Sequence, residues 1–345
     1  MTLLSQRHRF RHHLRETFGW RESDLGIWQG AKFTLDTCVP ALAGLLLGQP
    51  ELGFIGALAG SLFSFSDVPG TLSSRWLRLV QITVAMILFG ILGFVIGAKS
   101  PLFWVTLLGL VCGASWLQLA SHPVASPVRW GAIALISTAG LPSATWSLAW
   151  MVLFAALINA VTVFVGSQAF PDAAPFVQPV KEVDPRSLVA RVRFCIVCAL
   201  AAVTALLIGQ ARGVTHPMWI TTTVLLVMQP DARSSLTRIL QRSWGTLLGV
   251  VAAALTVGLF HSAWPLFFAI VVLSYTLPHA SVRNYWLQTA LFAWLILILY
   301  EFASVTHFNR HLIGERLLDV SIGCAIAFVA TVFAFTHIRK STSHL

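Results

Sequence analysis

Residues 216–249 read HPMWITTTVLLVMQPDARSSLTRILQRSWGTLLG, and this pattern decides how the whole chain is read. An apolar run, Met218 to Met228, stops at Pro230 and Asp231. A basic turn with Arg233, Arg238 and Arg242 follows, and a new apolar helix begins at Gly245. A helix rises about 1.5 Å per residue, and the hydrocarbon core of a bilayer is about 30 Å thick. The run from His216 to Gln229 is therefore short for a complete span. Two readings stand. Backbone can unwind at depth only where it lines a cavity, so a short, interrupted segment often lies beside a transport path. The plainer reading is a tilted span or a locally thinned bilayer.

That such a segment sits in a membrane follows from composition. The chain has 345 residues, 57% hydrophobic and only 10% charged, with a mean hydropathy of +0.78. Soluble domains carry about 25% charged residues. The formal net charge of +10 suggests nucleic acid at first sight. The arginines, however, lie in short stretches between apolar runs, which is the positive-inside pattern and not a nucleic-acid footprint. All five cysteines (Cys38, Cys112, Cys195, Cys198 and Cys324) fall inside apolar runs. Cys195 and Cys198 have a C-x-x-C spacing, but on a helix this only puts two small apolar side chains on one face. No metal or redox role is expected without polar flanks and further ligands.

Window reading gives about twelve apolar segments. They lie near 31–48, 52–66, 79–98, 102–120, 128–141, 146–166, 189–209, 216–229, 243–261, 264–278, 285–303 and 313–335, the fifth and eighth being the weakest. With that count, the basic stretches 67–78, 121–129, 170–191, 231–242 and 279–284 and both termini fall on one side; Arg310 is the exception. The rule then puts both termini in the cytoplasm. The expected divisions are a basic arm (1–30), a first transmembrane half (31–169), a linker (170–188), a second half (189–336) and a tail (337–345). The arm, with Arg7, Arg9, Arg11 and Arg15, lacks a following apolar region and cleavage site, so it is not a cleavable signal. It either lies on anionic lipid or is a disordered tail.

The halves echo each other. Leu47-Gly48-Gln49 matches Ile208-Gly209-Gln210, and Lys32-Phe33 matches Arg193-Phe194. Asp67 precedes Arg78 at the spacing by which Asp231 precedes Arg242, and Thr162-Val163-Phe164 matches Thr331-Val332-Phe333. An even number of helices per half makes the two repeats parallel. The fold class is thus all-α: a polytopic helical membrane protein of about twelve transmembrane helices in two parallel six-helix pseudo-repeats.

The run from Trp219 to Asp231, W-I-T-T-T-V-L-L-V-M-Q-P-D, and the run from Arg238 to Gly249, R-I-L-Q-R-S-W-G-T-L-L-G, resemble the signature of the fusaric acid resistance family. V-R-N-Y-W-L-Q-T-A-L-F at Val282 to Phe292 and R-L-L-D-V-S-I-G-C-A-I-A at Arg316 to Ala327 support the resemblance. It covers roughly Arg191 to Phe335 well and the first half weakly. The resemblance implies a bacterial inner-membrane exporter of aromatic carboxylic acids, distantly similar to plant malate channels, and a homodimer. Members commonly carry large soluble domains after each half; here the linker and the tail are short.

Several residues are candidates for function. The segment 52–66 holds the repeat position of the short 216–229 segment. It is Gly-rich (Gly53, Gly56, Gly60) and ends in Ser61, Ser64, Ser66 and Asp67. Paired short or Gly-broken segments point to a transporter's site, whereas Gly-mediated helix packing is the plainer explanation. Lys32 and Asp36 share a helix face as a potential internal ion pair. Arg193 repeats Lys32, but Val197 stands where Asp36 would recur. Both cations either serve an anionic substrate or snorkel at helix starts.

The expected substrate path comprises Lys32, Asp36, Ser61, Ser64, Arg193, Trp219, Thr221, Thr222, Gln229 and Tyr285. Trp219, Tyr285 and Trp286 either stack on a substrate ring or belong to an interfacial aromatic belt. Asp319, an intramembrane carboxylate, is either a proton relay or the partner of Arg316, and Asp36 is the second coupling candidate. Arg75, Arg78, Asp231, Arg238 and Arg242 form a candidate cytoplasmic entrance that gathers anions. The alternative is that Asp231 caps a helix while the arginines set topology.

No nucleotide-binding loop or catalytic constellation is visible, so neither an enzyme nor a cofactor is expected. The expected function is proton-driven export of small organic anions, the aromatic class resting on the resemblance alone. The alternatives are a passive anion channel and a non-transporting subunit that docks a partner protein. The expected partners are the anion, membrane lipid and a second copy of the chain, with no nucleic acid.

Overall fold

A computed structural model describes residue 19 and residues 25–139, 146–171, 187–213, 216–260, 262–303 and 311–335. The arm, the linker and the tail lie almost wholly outside the described residues, as does Arg310. The described chain is all helical: α1 (Ile27–Leu46), α2 (Pro50–Ser66), α3 (Leu72–Ile96), α4 (Pro101–Leu119), α5 (Ala125–Thr138), α6 (Trp146–Ala169), α7 (Leu188–Ala211), α8 (Met218–Val227), α9 (Ala232–Leu259), α10 (Ala263–Arg283), α11 (Tyr285–Ala303) and α12 (His311–Phe335). Eight of these are long and apolar enough to cross a membrane. The others are α1, α2, α5 and α8, and α8 has only 10 residues.

Local chemistry sets the boundaries. Ser100 caps α4 by accepting from the Leu102 N–H at 3.3 Å, and Pro101 takes the first helical position, where no donor is lost. Gly97 closes α3 with φ +66°, and its N–H bonds to the Gly93 carbonyl. Met228 is extended and Pro230 has no N–H to offer, so α8 cannot run on.

Two boundaries differ most from the hydropathy reading. α3 and α9 begin at Leu72 and Ala232, not near 79 and 243. Thr71 accepts from the Ser74 N–H at 3.3 Å, and Asp231 accepts from the Ser234 N–H at 2.8 Å. These caps start the helices before the apolar residues do. Arg75, Arg78, Arg233, Arg238 and Arg242 therefore ride on helices and not in loops.

The apolar interior divides into two main clusters, and each draws on both halves of the chain. One joins Phe103, Leu107, Ala132 and Leu135 of α4 and α5 to Phe194, Ile220, Val224 and Val320 of α7, α8 and α12. The other joins Phe33, Phe54 and Ala57 of α1 and α2 to Ile270, Leu277, Ile298 and Phe302 of α10 and α11. Opposite faces carry apolar residues outward, as Val80, Val84, Leu88, Ile91 and Val95 do along α3. That stripe faces lipid in a membrane.

Close approaches depend on glycine. A Cβ on Gly60 of α2 would come within 1.8 Å of the Asp36 carbonyl oxygen on α1. On Gly249 of α9 it would meet the Ala290 carbonyl oxygen at 2.3 Å. Small residues at such seams let backbones approach and gain dispersion energy that apolar lipid cannot replace. Gly60→Val is therefore expected to force α1 and α2 apart at a cost of about 1–3 kcal/mol or more. Gly109→Val, where nothing lies within 4 Å, is expected to be tolerated. Thermal denaturation of the two variants in detergent checks this; equal midpoints would show that the α1–α2 seam is not tight.

Candidate functional site

Buried charge concentrates in two places. The first is where α1, α2 and α6 pack together. Asp36 is fully buried, and its carboxylate accepts hydrogen bonds from three helices. Lys32 donates from α1 at 3.0 Å, Asn159 and Thr162 from α6 at 2.6 and 2.8 Å, and the Ser64 hydroxyl from α2. Lys32 also bonds to Ser64 at 3.1 Å and pairs with Asp67 at 3.5 Å. Asp67 in turn takes Arg75 through Nε at 2.8 Å and through a second nitrogen at 2.5 Å. Thr37 and Ser61 bond to each other at 2.9 Å alongside. Positive and negative groups alternate through this hub, and each carboxylate has charged or polar donors. That is how buried ions are tolerated.

The second place lies where α7, α8, α11 and α12 meet. Arg212, just after α7, pairs with Asp319 of α12. Asp319 is fully buried, and its other oxygen has no hydrogen-bond partner. One turn earlier, Arg316 lies with its guanidinium 4.7 Å from the Trp219 ring centre. His216 stacks on Trp219 at 4.6 Å, and the Tyr300 ring stands edge-on to both, at 5.0 Å from His216 and 5.5 Å from Trp219. Tyr300 also touches Phe54 of α2 at 4.2 Å between centres, which ties this place to the first half.

The break from α8 to α9 is held by side chains. Ser235 donates to the Gln229 carbonyl at 3.0 Å and accepts from the Gln229 N–H at 2.9 Å. The Gln229 amide donates to the Met228 carbonyl at 2.9 Å. Gln118 of α4 donates to Gln229 at 3.4 Å and accepts from Arg129 at 2.6 Å. Non-helical backbone at depth needs such partners, because no lipid atom can supply them.

The sequence candidates thus separate into groups. Lys32, Asp36, Ser61 and Ser64 come together in the α1–α2–α6 hub, and the Lys32–Asp36 pair forms as the helix spacing predicts. Arg193 is not with them. It is half-buried and donates to the Phe333 carbonyl on α12. Thr221 is buried and reaches the Ala202 carbonyl on α7 at 3.5 Å; Thr222 is half-buried on the same short helix. Arg238 sits over the Tyr285 ring at 5.0 Å. Of the entrance residues, Asp231 caps α9, Arg75 is committed to Asp67, and Arg78 is half-buried near Asp67. Arg242 is 5% exposed and so lies inside the fold.

The Asp319–Arg316 alternative gives way to Asp319–Arg212. The i−3 spacing made Arg316 the obvious partner, but its guanidinium goes to Trp219. Arg212 had no signal beyond its position after an apolar run. Asn159 and Thr162 were also missed, although polar side chains at i and i+3 in an otherwise apolar span are such a signal.

The comparisons add one decisive observation. Residues 200–330 match the model of a family described as Fusaric acid resistance protein-like. That stretch is similar to this family, and the match leaves the first half of the chain uncovered. No curated protein and no solved structure matches the chain. The fusaric acid resistance stretch contains the whole Arg212–Trp219–Tyr300–Arg316–Asp319 group, the α8–α9 break and Arg242; the Lys32–Asp36 hub lies before it.

Breaking the hub from one side leaves a buried charge unpaired. Asp36→Ala is expected to destabilise the protein by about 3–5 kcal/mol, and Lys32→Met by a comparable amount. The Lys32→Met/Asp36→Leu double variant is expected to cost clearly less than the sum of the single changes. Thermal midpoints of the four proteins in one detergent give the coupling, and strict additivity would show that the pair is not energetically linked.

Proposed function

We propose that the protein is a secondary transporter that exports small organic anions across the membrane at the expense of the proton gradient. The observation that carries this reading is the set of buried ionisable groups inside a helical membrane bundle. Such residues are expensive in hydrocarbon and mark substrate and proton pathways. The broken α8–α9 segment beside them supports the reading, because irregular backbone at depth lines a cavity in transporters. The similarity of residues 200–330 to the fusaric acid resistance protein-like family points the same way. Aromatic carboxylic acids are the substrate class that the sequence resemblance implies.

The proposal includes two parallel six-helix repeats. Its support is that helix pairs recur when every index is raised by six. α3 packs on α5 and α9 on α11; α2 on α6 and α8 on α12; α1 on α6 and α7 on α12; α4 on α7 and α10 on α1. It further includes an inner-membrane location with both termini cytoplasmic, following the distribution of basic residues. It includes a homodimer as well, following the resemblance. The work is done without a cofactor, a metal or a catalytic step.

Liposomes holding the protein are expected to move a hydroxylated benzoate faster than protein-free liposomes, with a reversal potential that shifts with the pH difference. Equal rates across a panel of such acids would sink the substrate class. A reversal potential that follows the anion gradient alone would make the protein a channel. Asp319→Asn keeps the side-chain volume and removes the charge. It is expected to insert normally, to lose acceleration by the pH gradient, and to allow slow downhill flux. Unchanged gradient-driven export would show that Asp319 serves structure through Arg212 and does not carry the proton.

A further inference from the structure

We infer that Arg242 of α9 and Arg316 of α12 together form the binding site for the carboxylate of one small organic acid. The inference rests on the anion-transport reading and gives it a place.

Both arginines are buried, at 5% and 4% exposure, and the Nε of each has no hydrogen-bond partner. Among the described residues, neither forms an ion pair. The helices that carry them, α9 and α12, pack directly on each other. A buried cation without an acid is strongly unfavourable. The hub around Asp36 shows how this chain neutralises a buried cation when the partner is its own: Lys32 has two carboxylates and Arg75 has one. Arg242 and Arg316 are treated differently.

The local charges support a single negative ligand. Arg212, Arg242 and Arg316 stand against Glu315 and Asp319, which leaves one positive charge over. Asp319 is engaged by Arg212. Glu315 precedes Arg316 directly, so it projects about 100° away around α12. A carboxylate supplies the missing charge, and the planar guanidinium fork matches its two oxygens.

The surroundings fix the arginines without saturating them. Trp219 lies against Arg316 at 4.7 Å, which positions the cation but accepts none of its in-plane N–H groups. α12 is pressed onto α8: a Cβ on Gly323 would meet the Ile220 carbonyl oxygen at 2.9 Å. Arg242 lies about 15 Å along α9 from its first residue, and Arg316 about 8 Å along α12 from its own, so both are at depth. Trp219 is already engaged by His216, Tyr300 and Arg316, so recognition here rests on charge and not on stacking against Trp219. Benzoate and cyclohexanecarboxylate should then bind within a few-fold of each other, and neutral benzamide should not compete.

The test uses the full-length protein in nanodiscs, with labelled benzoate as probe and the benzoate-induced rise in thermal midpoint as a second readout. Arg242→Gln and Arg316→Gln are each expected to weaken benzoate binding at least tenfold and to abolish the thermal rise. Arg316→Lys is expected to fall between wild type and Arg316→Gln. Lys99→Gln, which removes an exposed charge in the α3–α4 connection, is expected to bind as wild type does. In the absence of anion, Arg242→Gln should be no less stable than wild type, because it deletes a charge that has no internal partner. A purely structural arginine would instead lose stability on that change. If Arg316→Gln does not fold, Arg242→Gln and Arg316→Lys supply the same two readouts. Wild-type binding with unchanged affinity in the glutamine variants overturns the inference and leaves the transport reading standing. Wild type that neither binds nor moves benzoate, cyclohexanecarboxylate or chloride overturns both.

Discussion

The cost of an unpaired charge in hydrocarbon governs this structure more than any apolar contact does. Asp36 illustrates it. One carboxylate, with no exposed surface, collects an ammonium, an amide and two hydroxyls from α1, α2 and α6. Lipid offers those helices no hydrophobic reason to associate, since tails are as apolar as leucine. Directional bonds to Asp36 give them one register. The 1.8 Å that separates a hypothetical Gly60 Cβ from the Asp36 carbonyl oxygen is the steric counterpart of that demand. α2 must come that close for Ser64 to reach the carboxylate.

The same constraint explains why the two places of buried charge are built differently. In the α1–α2–α6 hub, cation and anion alternate, and the chain satisfies itself. Around α8 and α12, only Arg212 and Asp319 are matched. Arg316 rests on an aromatic ring, and Arg242 has no acid at all among the described residues. Self-satisfied ions resist movement, because any displacement exposes several charges at once. Unmatched ions gain by meeting a partner. In the proposed transporter, the first half therefore acts as an anchor and the second as the place of exchange. Apolar clusters that join α4 and α5 to α7, and α1 to α10, tie the two halves to each other.

Much of this was legible in the sequence. Hydropathy windows locate the twelve helices of the described residues, because a lipid-facing surface forces apolar residues outward as well as inward. They misplace the starts of α3 and α9, since a cap is a matter of one hydroxyl or carboxylate and leaves no trace in a hydropathy average. The Lys32–Asp36 pair follows from helical spacing within one element. Asn159, Thr162 and Arg212 do not, for they join the site from helices far away in the chain. Spacing along one helix cannot rank a distant partner above a near one. Asp319 shows the error directly: Arg316 is three residues away and Arg212 more than a hundred, yet the distant residue makes the ion pair.

The brevity of α8 ties these features together. Ten residues rise about 15 Å, roughly half of a bilayer core. A helix that short cannot cross a bilayer core by itself, and its last carbonyls need partners outside the helix. The Gln229 amide donates to the Leu226 and Met228 carbonyls and Ser235 to the Gln229 carbonyl, while Gln118 donates to the Gln229 side-chain oxygen and extends the chain of bonds to Arg129 on α5. Had α8 continued as one helix, none of these side chains would be needed. Because it stops, α9 begins early, with Asp231, Arg233 and Ser234 exposed and Arg242 buried farther along the helix. The break at Pro230 thus places a guanidinium at depth that no hydropathy rule would put there.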